Sequence, residues 1–226
     1  MRIARLTRRV LLVVLVVLLM GYAGLRGYVA YQAHCLAELF KAVSRVQIGD
    51  PDASLPSLIR SRRVAFQDLR SGYRLVYSPW RSSSRDPLFE WSRSSRLPKP
   101  VGEILGLRDF TGYATVLLER GRVTAAMAGV IVEAPGDQLY ASWQLVPEIP
   151  AYLQPELGPL QSPSFFRRSH YLFFGATDAA EAFITPASPD ADKAKARNIN
   201  TRCLTSFRGC TALEDLAPDA ARRLPH

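Results

Sequence analysis

Residues 10–25 read VLLVVLVVLLMGYAGL and are flanked by Arg9 and Arg26. The first ten are all Val or Leu, and each contributes roughly −0.3 to −0.6 kcal/mol to insertion at the centre of a bilayer. As a helix the uncharged run spans about 24 Å, less than a hydrocarbon core of about 30 Å. Snorkelling of the flanking arginines and the tyrosines that follow make up the difference. The run therefore predicts a single transmembrane signal-anchor over residues 10–31.

Positive charge is concentrated before this run. Only Arg26 and Lys41 follow it at comparable distance, whereas four arginines precede it: Arg2, Arg5, Arg8 and Arg9. The positive-inside rule therefore places residues 1–9 in the cytoplasm and residues 34–226 outside it. The predicted location is the cell inner membrane, with a periplasmic domain.

A cleaved signal peptide is the alternative, because Gly21-Tyr22-Ala23 places small residues where a signal peptidase reads them. The apolar run is longer than the usual h-region of about 7–15 residues, which favours an uncleaved anchor. A lipoprotein is disfavoured because Gln32-Ala33-His34 before Cys35 lacks the residues of a lipobox. With or without cleavage, the main body of the chain is extracytoplasmic.

The composition predicts a folded domain with one basic block. The chain has 48% hydrophobic residues and a net charge of +9. Residues 60–108 contain 11 basic and 4 acidic residues, a net charge of +7, whereas residues 109–226 contain 11 and 13, a net charge of −2. The surplus of positive charge is therefore local, and it follows the anchor closely in the sequence.

The three cysteines predict one disulfide. Cys203 and Cys210 are close enough to close a short loop, and an extracytoplasmic compartment favours oxidation. Such a bridge stabilises by about 2.5 kcal/mol in the chain-entropy model. For Cys35 two interpretations stay open, an idle thiol or an intermolecular disulfide between two anchored chains.

The chain predicts an α+β fold, in which the transmembrane helix and two helices precede a mainly antiparallel β-sheet. A helical apolar face continues from the anchor and comprises Leu36, Leu39, Phe40, Val43 and Val46. Gly49 and Pro51 end that helix, and Ser54 caps a second short helix running to about Arg62.

From Ser71 the apolar residues recur at every second position, which predicts strands over Tyr73–Tyr77 and Leu88–Trp91. A three-stranded antiparallel meander is expected next. Its strands are Tyr113–Leu118, Val123–Val132 and Leu139–Val146, with the turn Glu119-Arg120-Gly121-Arg122 between the first two.

The remainder predicts less regular structure. Five prolines in residues 147–168 are too many for a central strand or helix, so this segment is predicted to be an ordered Pro-rich crossover. A buried strand over Tyr171–Phe174, a small-residue stretch over Ala176–Ala196 and a last strand near Ile199–Leu204 follow. One short helix is expected at Leu213–Leu216.

Two stretches resemble known families. The helix, the turn Val46-Gln47-Ile48-Gly49 and the second helix resemble the start of SmpA/BamE-like domains of bacterial envelope proteins, with a departure at Asp50-Pro51 where that family has Met-Thr. The layout with Cys203-Leu204-Thr205-Ser206 and Gly209-Cys210 resembles uncharacterised, N-terminally anchored bacterial envelope proteins. These resemblances imply an envelope location and no known activity.

The sequence shows none of the common catalytic or cofactor motifs, and no catalytic, cofactor-binding or metal residue is predicted. Metal-ligand spacings, a Gly-x-Ser-x-Gly elbow and a phosphate-binding Gly-rich loop are all missing. Asp50-Pro51-Asp52-Ala53-Ser54 begins like a calcium loop, but Leu55 and Ser61 stand where Gly and Glu are required. His170 is the one histidine placed for general-base work. Glu90, Glu119 and Glu133 lie on predicted strands, and carboxylate-pair chemistry stays open.

The basic block mixes arginines with aromatic residues, which in a cytosolic protein would suggest RNA. Export makes nucleic acid an unsuitable partner, so anionic lipid or an envelope polymer is the expected contact, alongside solvated surface as the alternative. The candidate contact residues are Arg81, Arg85, Arg93 and Arg96.

Two functions follow from these observations. The first is a non-enzymatic, membrane-anchored envelope module that binds a partner protein or an anionic surface. The alternative is a hydrolase acting on an envelope polymer. A concave pocket where His170 or two carboxylates converge would favour the hydrolase.

Overall fold

A computed structural model describes residues 2–60, 63–65, 71–77, 80–81, 97–98, 109–134, 137–150, 153, 163–169, 178–206 and 209–221. The predictions at Leu88–Trp91, Tyr171–Phe174 and His170 lie outside these residues. The predicted fold class is confirmed: a long apolar helix is followed by a mostly antiparallel sheet and short helices.

The first helix, α1 (Arg2–Val43), contains both the apolar run and the first core element of the domain. At about 1.5 Å per residue its 42 residues span about 63 Å. Residues Val10 to Met20 are 43–65% exposed. By length and composition the stretch Thr7–Val43 is the candidate membrane span among the described residues.

The C-terminal half of α1 packs on the sheet. Its buried side chains recur every three or four residues, as an amphipathic helix requires. They are Val29, Ala33, Leu36, Leu39, Phe40 and Val43. The apolar face predicted between Leu36 and Val46 is therefore confirmed.

After α1 a 3₁₀ turn (Asp52–Ser54) and one helical turn, α2 (Ser57–Arg60), lead to the sheet. The predicted boundaries differ slightly. Helix α1 ends at Val43, and Gly49 (φ +92°) serves a later turn, in which its N–H donates to Val123 O. Ser54 does not cap α2, because its hydroxyl donates to Pro51 O and the first helical bond runs from Ile59 N to Pro56 O.

Within the described residues nine strands follow in chain order: β1 (Arg63–Ala65), β2 (Ser71–Tyr77), β3 (Trp80–Arg81), β4 (Leu97–Pro98), β5 (Phe110–Glu119), β6 (Arg122–Ala134), β7 (Asp137–Leu145), β8 (Ser164–Ser169) and β9 (Asp178–Ile184). Seven of them form one sheet in the order β1-β2-β5-β6-β7-β9-β8, and β3 pairs with β4. All pairs in the large sheet are antiparallel except β7 with β9.

The predicted meander is confirmed as β5, β6 and β7. Its first turn places Arg120 (φ 50°) and Gly121 (φ 74°) in the left-handed region. Two consecutive positive φ angles are typical of the type I′ turn, whose twist matches that of the flanking strands. This conformation suits Gly121, whereas Arg120 adopts it at a steric cost.

In the C-terminal third, β8 lies at the end of the Pro-rich segment as an edge strand, and β9 lies within the small-residue stretch, for which no strand was predicted. One prediction there is wrong. The strand expected near Ile199–Leu204 is a 3₁₀ helix (Thr201–Thr205), in which the Asn200 side chain accepts a hydrogen bond from the Arg202 N–H. Short neighbouring bonds, such as Ser206 N to Cys203 O, satisfy this backbone without a partner strand.

Three short helices complete the domain: α3 (Asp190–Arg197), α4 (Leu213–Leu216) and α5 (Pro218–Ala221). They lie on the same face of the sheet as α1, where Leu204, Leu213 and Leu216 join the main core. Arg168 on β8 ties this layer to the sheet edge, because it bonds Asp178 at 2.7 Å and Glu214 at 3.1 Å.

Candidate functional site: a cationic groove beside the anchor helix

The carboxylates considered for catalysis do not converge. Glu119 lies opposite Arg122 at the hairpin turn, whereas Glu133 lies opposite Gln138 at the far end of β6. Eleven strand residues separate these two ends, a distance of about 36 Å. Glu90 and His170 lie outside the described residues. Within the described ranges no group of His, Cys, Asp and Glu is arranged to hold a metal ion.

A cavity among the described residues lies elsewhere, between the last turns of α1 and helix α3. It is an open groove of about 740 Å³, within the range of small-molecule sites. Its walls combine apolar side chains with a few polar and charged ones: Ala37, Phe40, Lys41, Ser44, Ala191, Ala194, Lys195, Arg197, Asn198, Ile199, Thr201 and Asp219.

Helix α3 forms one wall because its sequence, DADKAKAR, starts after Pro189 and orders its charges along the axis. Acidic residues occupy the first turn and basic residues the last, as the helix macrodipole favours. The helix is fixed to its surroundings at its acidic end, where the Ser164 hydroxyl donates to Asp192 at 2.9 Å. Lys193 points away from the groove and donates to Pro186 O at 2.8 Å.

Arg197 is the unusual member of the groove. Its guanidinium carbon lies 5.3 Å from the centre of the Trp143 ring, at cation–π distance. Trp143 is fully buried in β7, so the ring holds the charged group against the core. Burial lowers the pKa of Arg197. The Arg197 Nε atom is buried and has no hydrogen-bond partner among the described residues.

The remaining charges leave the groove cationic. Lys41 lies 3.8 Å from Glu38 in an exposed pair, which is worth little. The single carboxylate of the lining, Asp219, accepts a hydrogen bond of 2.7 Å from the Asn198 amide. Three cationic side chains therefore line the groove against one carboxylate that is already engaged.

The groove contains no recognisable nucleophile among its described lining residues. The Ser44 hydroxyl donates to Lys41 O at 3.0 Å, a local bond within the helix end. No histidine lines the groove. The arrangement is suited to holding an anion rather than to acid–base chemistry.

A second polar cluster crosses the opposite face of the sheet. Tyr113, Gly129, Ser142 and Glu181 occupy successive strands in register, and Arg167 pairs with Glu181 at 3.2 Å. A Cβ at Gly129 would approach within 2.9 Å of both the Tyr113 hydroxyl and Ser142 Cβ, so glycine makes room for the tyrosine. This cluster is a polar patch within the sheet, held in part by the Arg167–Glu181 ion pair.

The tyrosine of this cluster also bonds Tyr140, hydroxyl to hydroxyl. Burial raises the pKa of both phenols, and that of Tyr113 rises well above its usual value. Both are therefore protonated at neutral pH and act as hydrogen-bonding groups.

The predicted disulfide residues lie beside the anchor helix. Cys203 and Cys210 are at disulfide distance, with Cα atoms 5.0 Å apart. Their loop includes the 3₁₀ helix that packs on α1, where the Arg26 guanidinium lies 3.5 Å from Thr205 O. Cys35 is half-buried on α1 and unbridged. The loop therefore lies at the end of the domain nearest the apolar half of α1.

The predicted anionic-surface residues are not brought together by the described structure. Arg81 belongs to β3, whose backbone alone is described, and Arg85, Arg93 and Arg96 lie outside the described residues. No pattern in the sequence indicated the groove, because Lys41 and Arg197 are far apart in the chain. The pattern that could have indicated the groove was the basic C-terminal end of DADKAKAR, but this segment lacks the periodic apolar face from which a packed helix is predicted.

Comparison with protein-family models, with curated proteins and with solved structures finds no match to this chain. The resemblances to SmpA/BamE-like domains and to anchored envelope proteins therefore stay predictions.

Proposed function

We propose that this protein is a single-pass, membrane-anchored binding module of the cell envelope, with its α+β domain on the extracytoplasmic side of the inner membrane. The observation that carries this proposal is the dual character of α1. One half presents an exposed apolar surface, and the other half is part of the domain core.

The continuity of α1 has a mechanical consequence. From Val10 to Val43 the helix runs without interruption, so no flexible linker separates the membrane from the domain. A domain anchored in this way has a fixed height and orientation above the bilayer. Such an arrangement suits a module that presents a binding surface at a set distance from the membrane.

Retention of the anchor is part of the proposal. The apolar run that contains the possible cleavage site at residues 21–23 is longer than the usual h-region of about 7–15 residues, which supports an uncleaved anchor. The orientation rests on the arginine asymmetry around the apolar run. The groove supports binding rather than hydrolysis, since its described lining offers cations without a nucleophile and base. Hydrolysis of an envelope polymer remains the untested alternative.

Topology is the first test. A reporter fused after His226 that is active only in an oxidising compartment should be active, whereas a reporter that needs the cytoplasm should be silent. The matched control reverses the charge asymmetry: Arg8→Glu and Arg9→Glu are combined with lysines inserted after Arg26. In this variant the activities of the two reporters should be inverted or mixed. Cytoplasmic activity of the unmodified chain would contradict the proposed location.

Retention of the anchor is tested by the mass of the protein isolated from membranes. We expect the N-terminal segment to be present and the protein to resist extraction by high salt. A mature chain that begins at Gly24 would show that the segment is a cleaved signal peptide, and the protein would then be an exported domain without an anchor.

The basic block supplies the proposed contact with anionic lipid or polymer. Coulomb attraction of this kind is screened over about 8 Å at physiological salt. The detergent-solubilised full-length protein should therefore bind anionic vesicles at low salt and dissociate from them as the salt concentration rises. Replacing Arg81, Arg85, Arg93 and Arg96 with Gln should reduce the salt dependence of this binding. Equal binding to neutral and anionic vesicles would return these arginines to an ordinary solvated surface.

A further inference from the structure

We propose that the groove between α1 and α3 is a binding site for a small free anion that carries one carboxylate or phosphate on an apolar body. The inference goes beyond the proposed function, and it holds whichever side of the membrane the domain occupies. Four features of the groove carry it: its charge, the state of Arg197, its apolar walls and its height above the bilayer.

The charge of the groove selects an anion. Lys41, Lys195 and Arg197 line it, and the opposing carboxylate of Asp219 is held by Asn198. Lys195 is explained by its place at the C-terminus of α3, where a cation complements the macrodipole. Arg197 is not explained in this way, because a solvated side chain would complement the dipole without being buried.

The state of Arg197 indicates an absent partner. The Arg197 side chain is half-buried with its Nε atom inaccessible, so it loses part of its hydration, and the Trp143 ring returns only some of that loss. The Nε atom lacks a hydrogen bond among the described residues, and Asp190 acts on the guanidinium through Coulomb attraction without a direct hydrogen bond. The planar fork of an arginine matches a carboxylate or phosphate bidentately, so such a group would satisfy the guanidinium.

The walls of the groove require an apolar body on the ligand. Phe40 and Ile199 supply larger apolar surfaces, and three alanines of α1 and α3 keep the floor open: Ala37, Ala191 and Ala194. An apolar-lined cavity with a few convergent polar groups is typical of small-molecule sites. A fully hydrated inorganic ion would leave these surfaces in water, and so fits less well.

The height of the groove excludes a lipid that stays in the bilayer. Lys41 lies ten residues beyond Tyr31, the end of the predicted span, on the same helix, which corresponds to about 15 Å along the axis. The headgroup layer extends only about 5–8 Å beyond the hydrocarbon core on each side. The ligand must therefore come from the aqueous phase.

Equilibrium dialysis tests the site with the full chain in phosphatidylcholine nanodiscs, with empty discs subtracted. The probes are 2-naphthoate and 1-naphthyl phosphate, and the neutral comparison is 2-naphthalenemethanol. We expect at least one anionic probe to bind saturably and the neutral compound to bind at least tenfold more weakly, as loss of a charged hydrogen bond predicts. Equal binding of the neutral compound, or no saturable binding of either anion, would overturn the proposal.

Variants locate the site. Arg197→Gln should weaken binding of the anionic probe about tenfold or more. Arg197→Lys keeps the positive charge but not the planar guanidinium, so its affinity should lie between those of Arg197→Gln and the wild type. Lys193→Gln is the matched control, because it removes a charge from the same helix but outside the groove, and should leave affinity unchanged. Lys195→Gln provides a second test if Arg197→Gln melts much earlier than the wild type.

Two further arms identify other occupants. Replacing part of the phosphatidylcholine with phosphatidylglycerol should not displace the probe, and displacement would assign the groove to lipid headgroups. A Glu-rich peptide that binds more tightly than both small anions would assign it to a partner protein. Either result would overturn the proposal, as would equal weakening by Lys193→Gln and Arg197→Gln.

Discussion

The packing of α1 on the sheet predicts that Gly112→Ala destabilises the wild-type protein but stabilises a variant in which Leu36 is replaced by a smaller residue. Gly112 lies on β5 opposite Tyr77 and Val130, facing α1. A Cβ built there would lie 2.8 Å from Leu36 Cγ and closer still to both Leu36 methyl carbons. Leu36 is completely buried, so its side chain has no open space to move into.

In the wild-type background the added methyl overpacks the interface. Such insertions cost about 1–3 kcal/mol, against a gain of about 0.4–1 kcal/mol from reduced freedom of the unfolded chain. We therefore expect Gly112→Ala to lower the free energy of unfolding by about 1–2 kcal/mol. Leu36→Ala alone should lower it by about 2–5 kcal/mol, because it leaves a cavity.

Leu36→Ala removes all three atoms that the new methyl would meet. In that background Gly112→Ala should raise the free energy of unfolding by about 1 kcal/mol, the sum of chain stiffening and partial filling of the cavity. The double-mutant cycle should therefore give a favourable coupling of about 2–3 kcal/mol.

The assay is a urea titration of the full chain in nonionic micelles, followed by both far-UV circular dichroism and tryptophan fluorescence, whose coincidence checks two-state unfolding. Val43→Ala is the matched control: it is buried in the same helix, two turns beyond Leu36. Combined with Gly112→Ala it should be additive within about 0.5 kcal/mol. If Gly112→Ala has the same sign and size in the wild-type and Leu36→Ala backgrounds, the packing of α1 on β5 is wrong.

Three further predictions concern the C-terminal third of the domain. The double variant Cys203→Ser/Cys210→Ser should lower the free energy of unfolding by about 2.5 kcal/mol. Reductant should lower the melting temperature of the wild type but not of this variant. Two free thiols in protein isolated without reductant would contradict the disulfide. Asp215 accepts hydrogen bonds from the Thr211 N–H and hydroxyl and from the following N–H, and the Thr211 bonds are the main reason that its pKa is lowered. Because the pKa of Asp215 is lower in the folded than in the unfolded chain, its ionised carboxylate stabilises the fold above about pH 4, and this stabilisation is lost as pH falls through the folded pKa. Asp215→Asn should therefore lower the melting temperature at pH 7 by about 2–4 °C. A difference in melting temperature that persists unchanged in strong acid would refute this reasoning. Arg168→Gln should cost about 1–2 kcal/mol, because it leaves the carboxylates of β9 and α4 without their shared cation; high salt should reproduce part of that loss in the wild type, and an unaltered denaturation midpoint would show that the pair is unimportant.

The sequence alone determined the elements whose information is local. The buried side chains of α1 recur with helical spacing, and the meander combines alternating strands with a Gly-containing turn, so both are readable without knowledge of the rest of the chain. The left-handed angles at Arg120 and Gly121 agree with the predicted hairpin. The apolar run before the domain is likewise defined by length and composition.

Tertiary contacts decided what local pattern could not. Strand β9, DAAEAFI, contains few β-branched residues, yet it is a strand because β7 and β8 pair with it on both sides and bury its alanines. The segment around Cys203 has the composition of a strand, yet its loop packs on α1 and is satisfied by short 3₁₀ bonds. In both places tertiary packing outweighed local propensity.

The groove belongs to the same class of feature. Lys41 lies on the first helix and Arg197 on the third, and only the packing of both helices on one face of the sheet brings their charges to one cavity. The burial of Arg197 over Trp143 depends on a strand that neither helix adjoins in sequence. A sequence specifies which groups are charged, whereas their desolvation and their opposition to one another arise only when distant elements are packed together.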